Sequence, residues 1–149
     1  MSLQEEVDLL RRIPLFAKVE PPKLKLLAFA SERVTFESGQ ELFREGDMPD
    51  AAYIIIDGTA EVSLNTPAGR IPVATVGRNE LVGEMGIICD MPRTATVRAT
   101  SRLVTLKISK DLFFRMIADF PSMGIEIMRV MAHRLENANA QLRAALAQH

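Results

Sequence analysis

Apolar residues change their spacing twice along the chain, and each change predicts a different kind of secondary structure. Before residue 34 they recur at helical intervals in two stretches, Glu5–Arg12 and a second that opens at Pro21-Pro22. The middle segment carries short β-rich runs between turn residues, and helical spacing returns from Ser109 onward. The pattern predicts one domain over residues 1–149, with helices over 1–33, a β-barrel over 34–108 and helices over 109–149.

The middle segment predicts an antiparallel fold because its strands are short and closely spaced. Asp57-Gly58 is a strong turn signal, and Gly46 and Gly58 are expected to supply positive-φ turn positions without contacting a ligand. The expected fold is mainly β with flanking helices, an antiparallel β jelly-roll or double-stranded β-helix barrel with a long C-terminal helix. The predicted strands run over residues 34–36, 42–43, 53–56, 60–64, 71–76, 94–99 and 103–108.

Apolar positions in the helical segments predict how these helices pack. The segment from Pro121 to about Gln148 would form a helix on the order of 40 Å long, too long to lie wholly on one barrel. Its first turns are expected to pack on their own barrel and its later turns to pair with a second copy, giving a homodimer. Packing of the whole seam on its own barrel is the alternative. The seam consists of Met128, Met131, Leu135, Ala138, Leu142 and Ala145, and the inner residues expected after Pro21 are Leu24, Leu26, Leu27 and Phe29.

A glycine-containing stretch, Gly83–Val97, interrupts the predicted strands and holds the candidate chemistry. Its glycines let the backbone approach a ligand closely, and a short helix starting near Glu84 would present N–H donors to an anion. Arg93 supplies a guanidinium suited to two phosphate oxygens, Thr94 a hydroxyl and Ala95 an unhindered N–H. Glu84 would repel a phosphate, but it can accept a hydrogen bond from a hydroxyl of the same ligand. A phosphate beside a hydroxyl indicates a nucleotide.

The residues Val82-Gly83-Glu84-Met85-Gly86 and Pro92-Arg93-Thr94-Ala95 resemble the phosphate-binding cassette of the cyclic nucleotide-binding domain family. This family includes the catabolite activator protein, kinase regulatory subunits and nucleotide-gated channels, and it usually has an aromatic residue where this chain has Val82. The resemblance implies a sensor of a cyclic purine nucleotide, in which Glu84 holds the ribose 2′-hydroxyl. It also implies that Arg93 and the Thr94–Ala95 backbone hold the cyclic phosphate. Gly83 and Met85 are the other ligand-binding residues of the implied cassette.

The same resemblance predicts that the long helix closes over the base. Matching the activator protein through Met131–Leu135 places the base-contacting residues at Ala138 and Asn139. Asn139 can donate and accept a hydrogen bond, so it is expected to contact a purine edge, in its own chain or across the dimer; a solvated helix residue is the alternative. Cyclic AMP is favoured over cyclic GMP because stand-alone members mostly resemble the activator protein. Thr94 leaves cyclic GMP open, since this hydroxyl meets the guanine amino group in some members.

Two other functions are compatible with the sequence. The chain is alternatively the sensor half of a truncated DNA-binding transcription regulator, or a ligand-free barrel of the same family that binds a protein. A ligand-free barrel would not need Glu84 and Arg93, which are expected to form a buried charge pair. No nucleic acid binding is expected of this chain alone, and its downstream partner is unknown. Whether Met1-Ser2-Leu3 is native, and whether the chain is full length or a fragment, stay open.

Composition excludes several other classes of protein. The formal net charge of −1 provides no field to attract nucleic acid or an anionic membrane. No apolar run could span a bilayer and no signal peptide is visible, so a cytoplasmic location is expected, which a single cysteine also fits. Two histidines are too few for a metal site and no catalytic grouping occurs, so neither an enzyme nor a bound cofactor is expected.

Cys89 is expected to be a small buried apolar residue and His133 a solvated one.

Overall fold

The computed structural model describes residues 2–147 of the chain. The helices are α1 (Leu3–Arg11), α2 (Pro21–Ala30), α3 (Glu84–Cys89), α4 (Lys110–Asp119) and α5 (Pro121–Ala147), with a 3₁₀ turn at Pro14–Phe16. The strands are β1 (Glu32–Phe36), β2 (Glu41–Phe43), β3 (Ala51–Asp57), β4 (Ala60–Thr66), β5 (Gly69–Val76), β6 (Leu81–Val82), β7 (Thr96–Ala99) and β8 (Leu103–Ser109). The predicted end of the last helix near Gln148 lies outside the described residues.

These strands form two four-stranded antiparallel sheets, in the orders β1-β8-β3-β6 and β2-β7-β4-β5. The two sheets and their flanking helices confirm the predicted mainly β jelly roll. β6 is absent from the predicted strands because it has only two residues, which pair with Tyr53 and Ile54 of β3. This short strand leads into α3, so its pairing attaches the start of the cassette to the first sheet.

Strand β3 is apolar over residues 51–56 because it lies between two hydrophobic cores. Ala52, Ile54 and Ile56 face a core formed with the helices. The alternate residues, among them Tyr53 and Ile55, face a second core between the two sheets. Successive side chains of a strand point to opposite faces, which explains how one strand serves both cores. β3 therefore gives the neighbouring cassette a support that is buried on both sides.

Helix α2 packs with a narrower apolar face than the sequence predicts. Leu24 and Leu27 are buried, as expected. Leu26 and Phe29 are 70% and 82% exposed, so their predicted inward position is wrong. The helical period of 3.6 residues explains the difference, because positions 24 and 27 share one face whereas 26 and 29 fall on the opposite side. Because apolar residues occur on both sides of this helix, its composition does not show which side is buried.

Helix α5 covers 27 residues and begins on the barrel of its own chain. Met123 and Ile127 in its first two turns are buried in the core formed with the other helices, which confirms the predicted packing of the early turns. Met128, Leu135 and Leu142 are 63%, 62% and 58% exposed. The later seam is therefore uncovered within one chain, and its pairing with a second copy stays a prediction.

Gly46 and Gly58 both have positive φ, at +93° and +96°, as predicted. A Cβ at Gly58 would lie 2.3 Å from the carbonyl oxygen of Arg102, whereas a Cβ at Gly69, where φ is +112°, would meet nothing within 4 Å. Left-handed backbone costs an alanine about 1–2 kcal/mol. Gly69→Ala should lose about that much free energy of unfolding and Gly58→Ala clearly more, as measured by urea denaturation. Equal losses in the two variants would show that the contact with Arg102 relaxes freely.

Candidate functional site

A cavity of about 500 Å³ lies between the cassette, the second sheet and α5. Strands β4, β5 and β7 form its wall, and one face of α5 closes its side. Asn139 is exposed and does not line the cavity of its own chain, so its contact with a ligand across a dimer stays a prediction. The other predicted site residues all line it, namely Gly83, Glu84, Met85, Arg93, Thr94 and Ala95.

Arg93 is held by the backbone of two neighbouring segments. Its side chain is almost fully buried, with Nη1 donating to the carbonyl of Gly83 at 2.7 Å and Nη2 to the carbonyl of Ala51 on β3 at 2.6 Å. The guanidinium also lies over the ring of Phe43, 3.9 Å from its centroid. Burial lowers the pKa of Arg93 and the nearby Asp50 opposes this shift, but an arginine keeps its charge in proteins. These contacts fix the plane of a charged group at the edge of the cavity.

One donor of Arg93 is left without an acceptor. Its Nε is buried and makes no hydrogen bond to the part of the chain that the structure describes, residues 2–147. A buried N–H without a partner costs roughly 1–3 kcal/mol. Such groups are rare in folded proteins and often mark a functional site. The guanidinium of Arg93 therefore has one buried donor for which the described residues supply no acceptor.

Glu84 is also buried, and its partner comes from α5. Only 3% of the residue is exposed, and its Oε1 accepts a hydrogen bond from Nη1 of Arg134 at 2.6 Å. Nη2 of Arg134 donates to the carbonyl of Leu81 at 2.9 Å, so one side chain joins α5 to both sides of Gly83. Burial raises the pKa of Glu84 and the charge of Arg134 opposes the shift. The prediction that Glu84 forms a charge pair with Arg93 is wrong, because the arginine that pairs with Glu84 is Arg134.

Arg134 is the principal site residue that the sequence did not indicate. It lies 50 positions from Glu84 in the chain, and arginines are common on the solvated faces of helices. Within the predicted α5, its only local signal is its place outside the apolar seam. Fold topology brings the two residues together, so only a structure identifies the pair.

Gly83 has the conformation that the close packing of the cassette requires. Its φ is +86°, and a Cβ there would lie 2.7 Å from Nη1 of Arg93 and 3.1 Å from the ring of Phe43. Glycine is the residue that adopts such backbone without strain. Because Gly83 has no side chain, the guanidinium of Arg93 can pack directly against the backbone that precedes α3.

The end of the cassette is fixed by a distant turn. The backbone N–H of Arg93 donates to the carbonyl of Asp47 at 2.8 Å, and the N–H of Gly46 donates to the carbonyl of Arg93 at 2.8 Å. Oγ1 of the buried Thr96 accepts from the N–H of Glu45 at 2.9 Å. The turn at residues 44–47 thus sets the position from which Arg93 enters the site.

Two further predictions concern residues that lie outside the cavity. Cys89 is exposed, so its predicted burial is wrong. It lies at the end of α3, whose inner face is formed by Gly86 and Ile87. His133 is exposed as expected, with Nδ1 4.0 Å from a carboxylate oxygen of Glu136.

Within residues 2–147, no group of three or more histidine, cysteine, aspartate or glutamate residues is placed to hold a metal ion. None of the helices in the same range is both long and apolar enough to cross a membrane.

A family model described as the cyclic nucleotide-binding domain matches residues 33–120 of this chain. The match covers more than half of the chain and includes both halves of the cassette. The chain belongs to the cyclic nucleotide-binding domain family.

Individual relatives extend the likeness beyond the barrel. The chain is 31% identical over 136 residues to a CRP-like cAMP-activated global transcriptional regulator of Mycobacterium tuberculosis, covering 91% of this chain and 61% of the regulator. The solved structure of the catabolite activator protein of Thermus thermophilus matches with a TM-score of 0.78 and 25% identity, covering 87% of this chain and 61% of that one. A lysophospholipase nte1 of Neurospora crassa is 33% identical over 116 residues, which are 76% of this chain and 8% of the enzyme. The chain thus spans about three fifths of the two regulators.

Proposed function

We propose that this chain is a cyclic AMP-sensing regulatory module that does not itself catalyse a reaction. The observation that carries the proposal is the buried guanidinium of Arg93, whose Nε–H has no acceptor within residues 2–147, beside a cavity that also contains a buried carboxylate. A charged donor suits a phosphate, and a carboxylate acceptor suits a sugar hydroxyl. The regulator of Mycobacterium tuberculosis, described as cAMP-activated, supports the choice of cyclic AMP.

In this proposal, different cassette residues bind different parts of the ligand. Arg93 and the backbone of Thr94 and Ala95 bind the cyclic phosphate, while Glu84 accepts a hydrogen bond from the ribose 2′-hydroxyl. Gly83 and Met85 line the cavity beside these groups. No further cofactor is required, because recognition uses only hydrogen bonds, charge and shape.

The hydrogen bond between Glu84 and Arg134 couples ligand binding at the cassette to the position of α5. The Oε1 atom of Glu84 accepts a hydrogen bond from Nη1 of Arg134 at 2.6 Å. A ribose hydroxyl on the same carboxylate changes the strength of that bond, so the ligand has different affinities for different positions of α5. Such a difference in affinity is what a ligand needs in order to shift a conformational equilibrium.

Isothermal titration calorimetry of the purified chain tests the proposed function. Cyclic AMP and cyclic GMP are titrated in parallel with 5′-AMP and adenosine as controls. Saturable heat with a cyclic nucleotide, well above that with adenosine, is expected. Absence of binding to every cyclic nucleotide would refute the sensor and favour the ligand-free interaction barrel.

A second candidate function is the sensor half of a DNA-binding transcription regulator. The observation that favours it is the match to only 61% of a regulator described as transcriptional. The coding sequence after position 149 tests this candidate directly. A helix-turn-helix encoded there would establish it, whereas a stop codon would leave the module without its own DNA-binding part.

We further predict that the chain dimerises through the seam of α5, whose residues Met128, Leu135 and Leu142 are exposed. Exposed apolar surface costs roughly 25 cal/mol per Å², and pairing the same helix about a two-fold axis removes it from water. Leu135→Glu/Leu142→Glu should convert a dimer to a monomer in analytical ultracentrifugation. The matched control Ala140→Glu/Ala144→Glu adds the same charges at exposed positions outside the seam. A native chain that remains monomeric at high concentration would contradict the dimer.

A further inference from the structure

A second cavity lies on the other side of the hydrogen bond between Glu84 and Arg134. Its volume is about 320 Å³, and small-molecule sites typically measure roughly 300–1,000 Å³. The 3₁₀ turn at Pro14–Phe16, residues 79–81 and α5 bound it, whereas β4, β5 and β7 form the wall of the first cavity. We propose that the second cavity binds a small uncharged apolar molecule, and that its occupation changes the affinity of the first cavity for cyclic nucleotide. The second part of this inference rests on the proposed function.

The floor of the second cavity is apolar and preformed. Ile13, Ile54 and Ile127 line it, and all three are buried in the core formed with the helices. The segment beside them, residues 79–81, is attached to β3, because the N–H of Asn79 donates to the carbonyl of Ile55 at 2.8 Å. A ligand would therefore cover an apolar surface whose shape the fold already fixes.

The charged groups of the lining restrict the ligand to an uncharged molecule. Glu80 and Glu84 contribute two carboxylates and Arg134 one guanidinium, which leaves one net negative charge when His133 is counted as neutral. A carboxylate or phosphate would meet this charge, and an ammonium group would lose its hydration over the apolar floor. The amide of Asn79, also in the lining, can donate and accept a hydrogen bond. The lining therefore suits an aliphatic molecule that ends in a hydroxyl group.

The two cavities share the side chains through which the cassette contacts α5. Glu84 and Arg134 line both cavities, and the 2.6 Å hydrogen bond between them lies where the cavities meet. A molecule in the second cavity also contacts Val130 of α5, which does not line the first. Occupation of either cavity therefore acts on the same bond. By linkage, each ligand then changes the affinity for the other by the same factor.

Methyl NMR of the purified chain with labelled isoleucines tests the site directly, with 1-octanol as the probe. A molecule of about nine non-hydrogen atoms should bind such a site with a Kd on the order of 1 mM or below. The methyl signals of Ile13, Ile54 and Ile127 should shift and saturate. The signal of Ile71 should not shift, because this residue is exposed on β5 and lines neither cavity. Octanoate should bind at least about 10-fold more weakly because of its charge.

A substitution that fills the second cavity provides an independent test. Val130→Phe should weaken octanol binding by about 10-fold or more, because the larger side chain enters the cavity from an exposed position on α5. Ile125→Phe is the matched control, since it adds a ring at another exposed position of α5 that lines neither cavity. This control should bind octanol as the native chain does. Melting temperatures check that both variants remain folded.

Calorimetry with cyclic AMP at increasing octanol concentrations tests the coupling. The Kd of the native chain for cyclic AMP should change by about 5-fold or more and reach a plateau once the second cavity is saturated. In Val130→Phe it should stay constant over the same concentrations. A Kd that rises without limit would indicate competition within the first cavity, and an unchanged native Kd would indicate independent cavities. Either result would overturn the coupling.

Other outcomes would overturn the site itself. Shifts that do not saturate, or a shift of Ile71 parallel to those of the lining isoleucines, would show that octanol partitions onto exposed apolar surface. Octanoate that binds as tightly as octanol would contradict the uncharged ligand class. Failure of the native chain to bind any cyclic nucleotide would overturn the proposed function and the coupling, whereas the NMR shifts with octanol would still establish the second site.

Discussion

Arg93→Ala should weaken the binding of cyclic AMP by about 30-fold to several thousand-fold. Loss of one partner from a desolvated charge pair costs roughly 2–5 kcal/mol, and about 1.4 kcal/mol corresponds to a factor of ten. The expected loss is large because the guanidinium is buried and its Nε–H has no acceptor within residues 2–147. Calorimetric titration of the variant with cyclic AMP measures it directly.

The variant also removes two hydrogen bonds to the backbone, so its effect on the fold needs a separate measurement. Adenosine, which has no phosphate, should bind the native chain and Arg93→Ala with similar affinity. Arg98→Ala is the matched control, because Arg98 lies on β7, is exposed and does not line the cavity. Equal losses for cyclic AMP and adenosine would point to a distorted site, and native-like affinity for cyclic AMP would move the phosphate elsewhere.

Glu84→Gln should weaken the binding of cyclic AMP by about 10-fold to 100-fold, because a hydrogen bond to a charged group contributes roughly 1.5–3 kcal/mol. The effect should be much smaller for 2′-deoxy cyclic AMP, which lacks the hydroxyl that the carboxylate accepts. The two ligands and two proteins form a cycle that isolates this one contact. Equal affinity of the native chain for both ligands would remove Glu84 from ribose recognition.

The same substitution should change how stability depends on pH. Burial raises the pKa of Glu84 in the folded chain above its ordinary value of 4.5, so the folded state binds this proton more tightly than the unfolded state. The resulting stabilisation is fully present below the ordinary pKa and is lost as pH rises through the raised value. Relative to Glu84→Gln, the native chain should therefore lose stability as pH rises across that window. Parallel pH profiles of the free energy of unfolding would contradict the raised pKa.

The parts of the site that lie close together in sequence could be predicted from the sequence. Glu84 and Arg93 are separated by nine positions, and their chemistry is recognisable without knowing what surrounds them. Their burial and their shared cavity agree with the prediction. Arg134 could not be predicted in this way, because the contact with Glu84 joins residues 50 positions apart. Its role depends on how α5 crosses the cassette, which no local pattern specifies.

The errors in the predicted packing have a similar origin. Leu26 and Phe29 belong to a helix in which apolar residues occur on more than one face, so composition alone did not separate inside from outside. Cys89 has the size and polarity of a buried residue, but it ends a short helix whose other side packs inward. The strands were more predictable, because alternation and turn residues record the burial of each face. β6 cannot be predicted from the pattern because two residues are too few to show any alternation.

The exposed thiol of Cys89 provides a direct way to observe the cassette in solution. It is the one cysteine in the sequence, so a maleimide dye would attach at a single position without any mutation. Cys89 follows Glu84 by five residues on α3, or about 7.5 Å along the helix axis, so the dye would sit on the cassette helix and away from the carboxylate. Fluorescence from that position would report movement of α3 as nucleotide is added, and stopped-flow mixing would give its rate.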